Sequence, residues 1–187
     1  MTKLGISLVL VAILGAMGCV PNSIHPLYTD DNVVYDPALI GKWHEEGELA
    51  WIEFAEGEDD SYIFRMAEDE NVVSTFHAKL VKLGEHTLLD IMPAEPSAEM
   101  GDFYRGHLLP MHSFYVVTET SPTLKFSVLN WEVFESDVKS GKAKIDFIDY
   151  EGHIILTSET DELGEFIVNL LQRKDATDHE SEYIRTK

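Results

Sequence analysis

Cysteine is almost absent from this chain, since Cys19 is the only one in 187 residues. No intramolecular disulfide can form, so in an oxidising compartment the fold must be held by its core rather than by covalent staples. Basic residues are also scarce. Fourteen Lys and Arg face 34 Asp and Glu, a formal net charge of −20, which opposes binding to polyanions. No nucleic-acid partner is expected. The acidic residues gather in Glu56-Gly57-Glu58-Asp59-Asp60, in Glu68-Asp69-Glu70 and in residues 175–182, where turn residues mark solvated loops. None of these runs has the spacing of a calcium loop.

The motifs of common chemistries are missing as well. The eight histidines include no His-Glu-x-x-His pair, and His107 and His112 stand around Pro110 without metal-ligand spacing. There is no Gly-x-Ser-x-Gly elbow, and Ser113 beside His112 reads as a strand dipeptide. Glycine-rich phosphate loops are absent. These absences predict no catalytic residues, no bound metal and no cofactor. Glu45, Glu53 and Asp90 fall in or beside strand-like segments. An inward-facing acid there would have a raised pKa, but strand alternation predicts that all three face water.

Long apolar runs are lacking too, apart from one at the start. Lys3 precedes an apolar stretch at residues 4–14, followed by Gly15-Ala16-Met17-Gly18-Cys19. The stretch is shorter than the ~20 residues that cross a bilayer, and its glycines weaken a helix. A basic start, a short apolar middle and small residues before a cleavage point read as a secretory signal. Ala16-Met17-Gly18-Cys19 resembles a bacterial lipobox. That resemblance implies cleavage between Gly18 and Cys19 and diacylglycerol on the Cys19 thiol. It also implies a mature protein tied through its N-terminal lipid to a membrane of the cell envelope. Val20 stands where an aspartate would signal inner-membrane retention, which favours the outer membrane's periplasmic face. Loss of residues 1–18 removes Lys3, so the mature chain would be more acidic still.

Four regions follow from composition: a signal peptide at 1–18, a lipid-anchored tether at 19–37, a β-rich domain at 38–174 and a polar tail at 175–187 that frays. The tether is rich in Pro, Asn and Asp, although Ser23-Ile24-His25-Pro26-Leu27-Tyr28 carries enough apolar surface to lie on the domain. Asp36-Pro37-Ala38-Leu39-Ile40 reads as a capped helical turn, with Asp36 as N-cap and Pro37 at the first position. From residue 49 to 129 the apolar period is two. Aromatic and β-branched strands are predicted at 49–54, 62–66, 73–81, 86–91, 114–119 and 124–129, separated by polar turns. Residues 93–110 break the pattern as a long connection that either covers a cavity mouth or is mobile. Then the period changes. A helix capped by Asn130 and ended by Gly141, two short strands at 145–148 and 153–157, and a second helix capped by Thr160 complete the domain.

The expected fold is α+β, mainly antiparallel: a curved sheet or partial barrel with two C-terminal helices docked on it. Core candidates are Trp43, Trp51, Phe54, Ile63, Phe64, Phe76, Leu80, Leu89, Phe114, Phe126, Val128, Trp131, Phe134, Phe166 and Leu170. The start Gly41-Lys42-Trp43 ahead of a β-meander resembles the Gly-x-Trp signature of lipocalins. In that family the tryptophan closes one end of a barrel beneath a ligand cavity. The resemblance implies a cavity for a small apolar ligand, with Trp43, Trp51, Phe64, Phe76 and Phe114 as candidate lining. The family's other hallmarks are not matched: Asp149-Tyr150 only echoes its Thr-Asp-Tyr loop, and no late-strand arginine is placed to stack on Trp43. The chain is also similar to uncharacterised bacterial lipoproteins with an Ile-His-Pro-Leu-Tyr start (residues 24–28) and an Asp-Pro-Ala-Leu-Ile-Gly-x-Trp segment (residues 36–43). The expected function is an envelope lipoprotein without catalytic activity, binding a small apolar ligand or lipid. The alternative is a protein-interaction module of envelope assembly.

Overall fold

The computed structural model describes residues 20–67, 72–95 and 100–186. Gly18, Cys19 and the acidic run at 68–70 lie outside the described residues. Alternating apolar side chains build a meander of β3 (Gly41–His44), β4 (Trp51–Glu56), β5 (Tyr62–Ala67), β6 (Val73–Leu83), β7 (His86–Pro93), β8 (His112–Glu119) and β9 (Leu124–Leu129). Each strand pairs antiparallel with the next. The eighth strand, β12 (Thr177–Arg185), pairs with β9 on one side and β3 on the other. The sheet therefore closes into a complete eight-stranded barrel and removes its own edges.

β12 lies where a fraying tail was expected. Its alternation is carried by only Ser181 and Tyr183 among exposed acidic neighbours, too few apolar residues to register as a strand, yet it is the strand that closes the barrel. The tether is corrected in the same way. β1 (Asn22–Ser23) pairs with the start of β8, β2 (Val33–Val34) pairs with the far half of β6, and Leu27 between them is fully buried. Residues 20–36 are thus a strap packed along the barrel wall.

Between β9 and β12 the chain leaves the barrel to form α2 (Trp131–Lys139), β10 (Phe147–Tyr150), β11 (His153–Leu156) and α3 (Thr160–Leu171). Asn130 caps α2 as expected, its Oδ1 accepting the Val133 amide at 3.2 Å. The N-cap of α3 is Glu159 rather than Thr160. β11 runs parallel to β1, and β10 is the free edge of this extension among the described residues.

Two apolar cores result, one on each side of the barrel wall. The inner core includes Leu39, Trp43, Phe54, Phe64, Leu89 and Phe126. The outer core places Val81, Leu88, Phe114 and Val116 beneath Phe134, Leu163, Ile167 and Leu170 of the two long helices. Strands covered on both faces lose the alternation expected of a half-solvated sheet. Residues Leu88, Leu89, Asp90 and Ile91 of β7 are consecutively buried.

Candidate functional site in the barrel

Alternate connections of a meander emerge at the same end, so the barrel has two different ends. At one end Asp36 caps the short 3-10 turn Pro37–Leu39, accepting the Ala38 amide at 2.9 Å. The same carboxylate accepts the Thr120 hydroxyl at 2.6 Å from the β8–β9 connection, while the Asp36 amide donates to the Tyr62 hydroxyl at 2.7 Å. Trp43 is fully buried behind this turn and donates from Nε1 to the Leu39 carbonyl at 2.9 Å.

Arg185 completes the closure. Its guanidinium carbon sits 4.2 Å from the centre of the Trp43 ring, and its two terminal nitrogens donate to Ile40 and Ala38 carbonyls at 2.5 and 2.6 Å. Such an arginine is not visible in the sequence, because the strand that carries it has too few inward-facing residues to stand out as a strand. Gly41 makes room for it. With φ of +136° and a Cβ position 2.5 Å from Arg185 Nη1, a side chain at residue 41 would be strained and would push the guanidinium aside. The barrel is closed at this end. The architecture is lipocalin-like. The chain matches no protein-family model, no curated protein and no solved structure among those compared with it.

The inner wall is aromatic. Phe54, Phe64 and Phe76 are cross-strand partners on β4, β5 and β6, with ring centres 4.8 and 5.8 Å apart. On the opposite arc Phe126 stacks on Tyr183 at 5.1 Å and meets Tyr115 edge-on at 5.6 Å. Tyr115 faces inward beside Leu89, deep in the wall, and burial pushes its phenol up. Its side chain packs against the inner core and keeps some accessible surface. Tyr183 is raised by burial first, then by the charge of Glu45 and its hydrogen bond to that carboxylate. Glu45, two residues beyond Trp43, is half-buried and keeps contact with water.

Of the five candidate lining residues, the structure places Trp43, Phe64 and Phe76 in the inner core and two elsewhere. Trp51 pairs with His44 on the outward face, its ring capped by Lys42 Nζ at 3.7 Å. Phe114 points outward into the core beneath the helices. One position along a strand reverses the face, and aromatic character alone does not say which face is the lumen. Glu53 does face outward, paired with Arg65 across β4 and β5 at 2.9 Å.

At the open end the β3–β4, β5–β6 and β7–β8 connections emerge together. They expose apolar side chains that a globular surface would ordinarily cover: Leu49 at 83%, Phe103 at 85% and Leu109 at 66%, with Val72, Val73, Tyr104 and Leu108 also exposed. Phe103 and Tyr104 ride on α1 (Asp102–Arg105), a single turn within the long connection. The strap enters the fold here. Ser23 is the strand partner of His112, three residues beyond Leu109.

The strap is held by a buried pair that strand alternation misread. Asp90 is 1% exposed, and its Oδ1 is 2.6 Å from His112 Nδ1 while Oδ2 accepts the Leu27 amide at 2.8 Å. Tyr28 packs edge-on against the His112 ring at 6.1 Å. An Asp–His pair with a buried serine nearby has the elements of nucleophilic chemistry. However, the Ser23 hydroxyl accepts the His25 amide at 3.0 Å and makes no bond to His112. The pair acts as a clamp on the strap. Among the described residues no group of three or more His, Cys, Asp or Glu is placed to hold a metal ion.

Proposed function

We propose that the protein binds a small apolar ligand within the barrel and works at a membrane surface to which its N-terminus is tethered by lipid on Cys19. One observation carries the reading. A closed barrel with an aromatic inner wall is sealed at the end of Trp43 and Arg185 and ringed at the other by exposed Leu49, Phe103 and Leu109. Apolar pockets of this kind bind by burying ligand surface, with few polar groups to fix orientation. Exposed apolar side chains around a mouth offer a path for a ligand leaving a lipid phase. The tether supports the same reading, because the chain from Cys19 meets the fold beside the root of the Phe103 connection.

The test uses the full chain, delipidated and refolded, with an uncharged apolar dye that fluoresces on transfer from water. Saturable uptake is expected, lost on Phe76→Glu in the inner wall and kept on Trp51→Glu on the outer face. Absence of saturable uptake would refute the reading. A second reading, docking of an envelope protein, is favoured by the free edge of β10, where Phe147, Ile148 and Tyr150 are exposed and could receive an added strand. Under that reading Ile148→Asp removes a cross-linked partner in envelope extracts and leaves dye uptake intact.

A further inference from the structure

We infer that the anchored protein lays one face of the β10–β11 extension on phospholipid, with Ile148 and Tyr150 at the lipid boundary and Lys142 and Lys144 toward the phosphates. The inference rests on the membrane tether of the reading above, not on its ligand, and goes further by naming the face that meets the lipid.

Cross-strand register defines that face. Ile148 stands opposite Ile155 and Tyr150 opposite His153, while Phe147 and Asp149 stand opposite Leu156 and Ile154. Paired residues share a side of the sheet, and neighbours along a strand alternate. Ile154 and Leu156 are buried in the outer core with the helices. Ile148, Tyr150, Ile155 and His153 therefore occupy the other side, where Ile148 stays 55% and Tyr150 63% exposed. The turn that presents them is held in place. Asp149 accepts the Gly152 amide at 2.9 Å, and its ion pair with Lys139 at 3.3 Å joins β10 to α2.

The route of the chain decides what covers this face. β1 runs parallel to β11, with Asn22 beside Ile155 and Ser23 beside Leu156. Residue 20 therefore lies toward the β10–β11 turn, and Pro21 is already buried. Cys19 is one peptide farther, about 4 Å, and β10 is two strand spacings from β1, about 10 Å. Because the strap is packed and supplies no slack, a lipid on Cys19 enters the bilayer beside this face. Charge agrees with that placement. The chain carries −20, yet across residues 139–153 Lys139, Lys142 and Lys144 balance Asp146, Asp149 and Glu151. Lys142 and Lys144 are exposed and enter no ion pair among the described residues. Lysines beside a lipid surface are drawn to its phosphates, and tyrosine sits at the boundary with its ring in carbon and its hydroxyl in water. The barrel mouth is less suited, since Leu49 follows Glu45, Glu46 and Glu48. The contact is small: it orients the protein without holding it.

The test couples the full chain through Cys19, its only thiol, to a maleimide-bearing phospholipid in phosphatidylcholine–phosphatidylglycerol vesicles with brominated acyl chains, which quench tryptophan. Coupling supplies the tether whether or not cells lipidate Cys19, so fractionation of Cys19→Ser judges the tether and this experiment judges the face. Tyr150→Trp should add a blue-shifted emission that the brominated lipid quenches, and Phe103→Trp at the mouth should add an emission that it does not. Ile148→Trp repeats the measurement on the same face if Tyr150→Trp does not fold. Lys142→Glu with Lys144→Glu should lower the quenching at position 150 by about half or more, whereas Lys82→Glu, near the β6–β7 turn, should leave it unchanged. Quenching at position 103 equal to or above that at 150 puts the mouth on the lipid and overturns the inference. Absence of quenching at both 148 and 150 overturns it as well, and shielding of those positions only when an envelope extract is added gives the face to a protein instead. Loss of quenching that is the same for Lys82→Glu assigns the effect to overall charge and counts against this face.

Discussion

The guanidinium of Arg185 lies over the Trp43 ring and reaches past it to the carbonyls of Ala38 and Ile40. The last strand of the barrel is thereby tied to the turn that precedes the first. A flat cation over an aromatic face and two charge-assisted bonds to a turn need a planar fork, which lysine lacks. Arg185→Ala should destabilise the protein by about 1–3 kcal/mol, allowing for the partial exposure of the site. Arg185→Lys should recover less than half of the loss, both read from urea unfolding midpoints.

Gly41 and Arg185 form a second coupled pair. Gly41→Ala forces an L side chain into φ of +136° against the guanidinium and should cost more than about 1 kcal/mol. Part of that cost is the clash with Arg185. The Gly41→Ala, Arg185→Ala double variant should therefore be less destabilised than the sum of the singles, by about 0.5 kcal/mol or more in a double-mutant cycle. Strict additivity would show that the backbone conformation alone demands glycine.

Asp90 decides whether the strap stays on the barrel. Asp90→Ala leaves His112 and the Leu27 amide without their buried acceptor, a loss of about 3–5 kcal/mol by analogy with broken buried pairs. Asp90→Asn keeps an oxygen for Leu27 and should cost less. Hydrogen exchange of the Leu27 amide should accelerate in Asp90→Ala by more than the global stability change requires. Uniform acceleration across the barrel would mean that the strap does not open separately.

Tyr62 predicts an alkaline loss of stability. Burial pushes its phenol from 10.0 up to about 12, with the hydrogen bond to the Asp36 backbone acting the other way and Tyr35, Asp36 and Asp60 adding to the rise. The folded state thus holds the Tyr62 proton more tightly than the unfolded chain does. Its contribution is fully present below pH 10 and is lost as the pH rises through about 12. Tyr62→Phe should be less stable at neutral pH, having lost the bonds to Asp36, but its stability should fall less steeply between those two values. Urea unfolding across the range, with the tyrosinate absorbance as a monitor, reads both.

Cys19→Ser tests the anchor. The variant should leave the membrane fraction for the soluble one while its far-ultraviolet circular dichroism stays that of the parent. Retention in the membrane fraction would show that something other than the Cys19 lipid holds it there.

Local pattern was enough for β4 to β9, for the Asn130 cap and for the Asp36-Pro37 turn, because strand alternation and capping are written in neighbouring residues. Gly41-Lys42-Trp43 pointed to a barrel with one sealed end, and Trp43, Phe64 and Phe76 do face its interior. β12 was illegible because its inward residues are few and its outward ones are charged. The burial of Asp90 is not legible because the strap that carries Leu27 covers the outer face of β7 at that point, and nothing within β7 announces it. Trp51 and Phe114 were misassigned for a related reason: period two gives two faces without naming the lumen. The charge, the freedom from intramolecular disulfides and the meander follow from the sequence alone, since these depend on composition and near neighbours. That the barrel closes, that Arg185 meets Trp43 and that Tyr115 and Tyr183 converge on Phe126 is set by tertiary structure. Those depend on contacts between segments far apart in the chain, whose partners are fixed by packing.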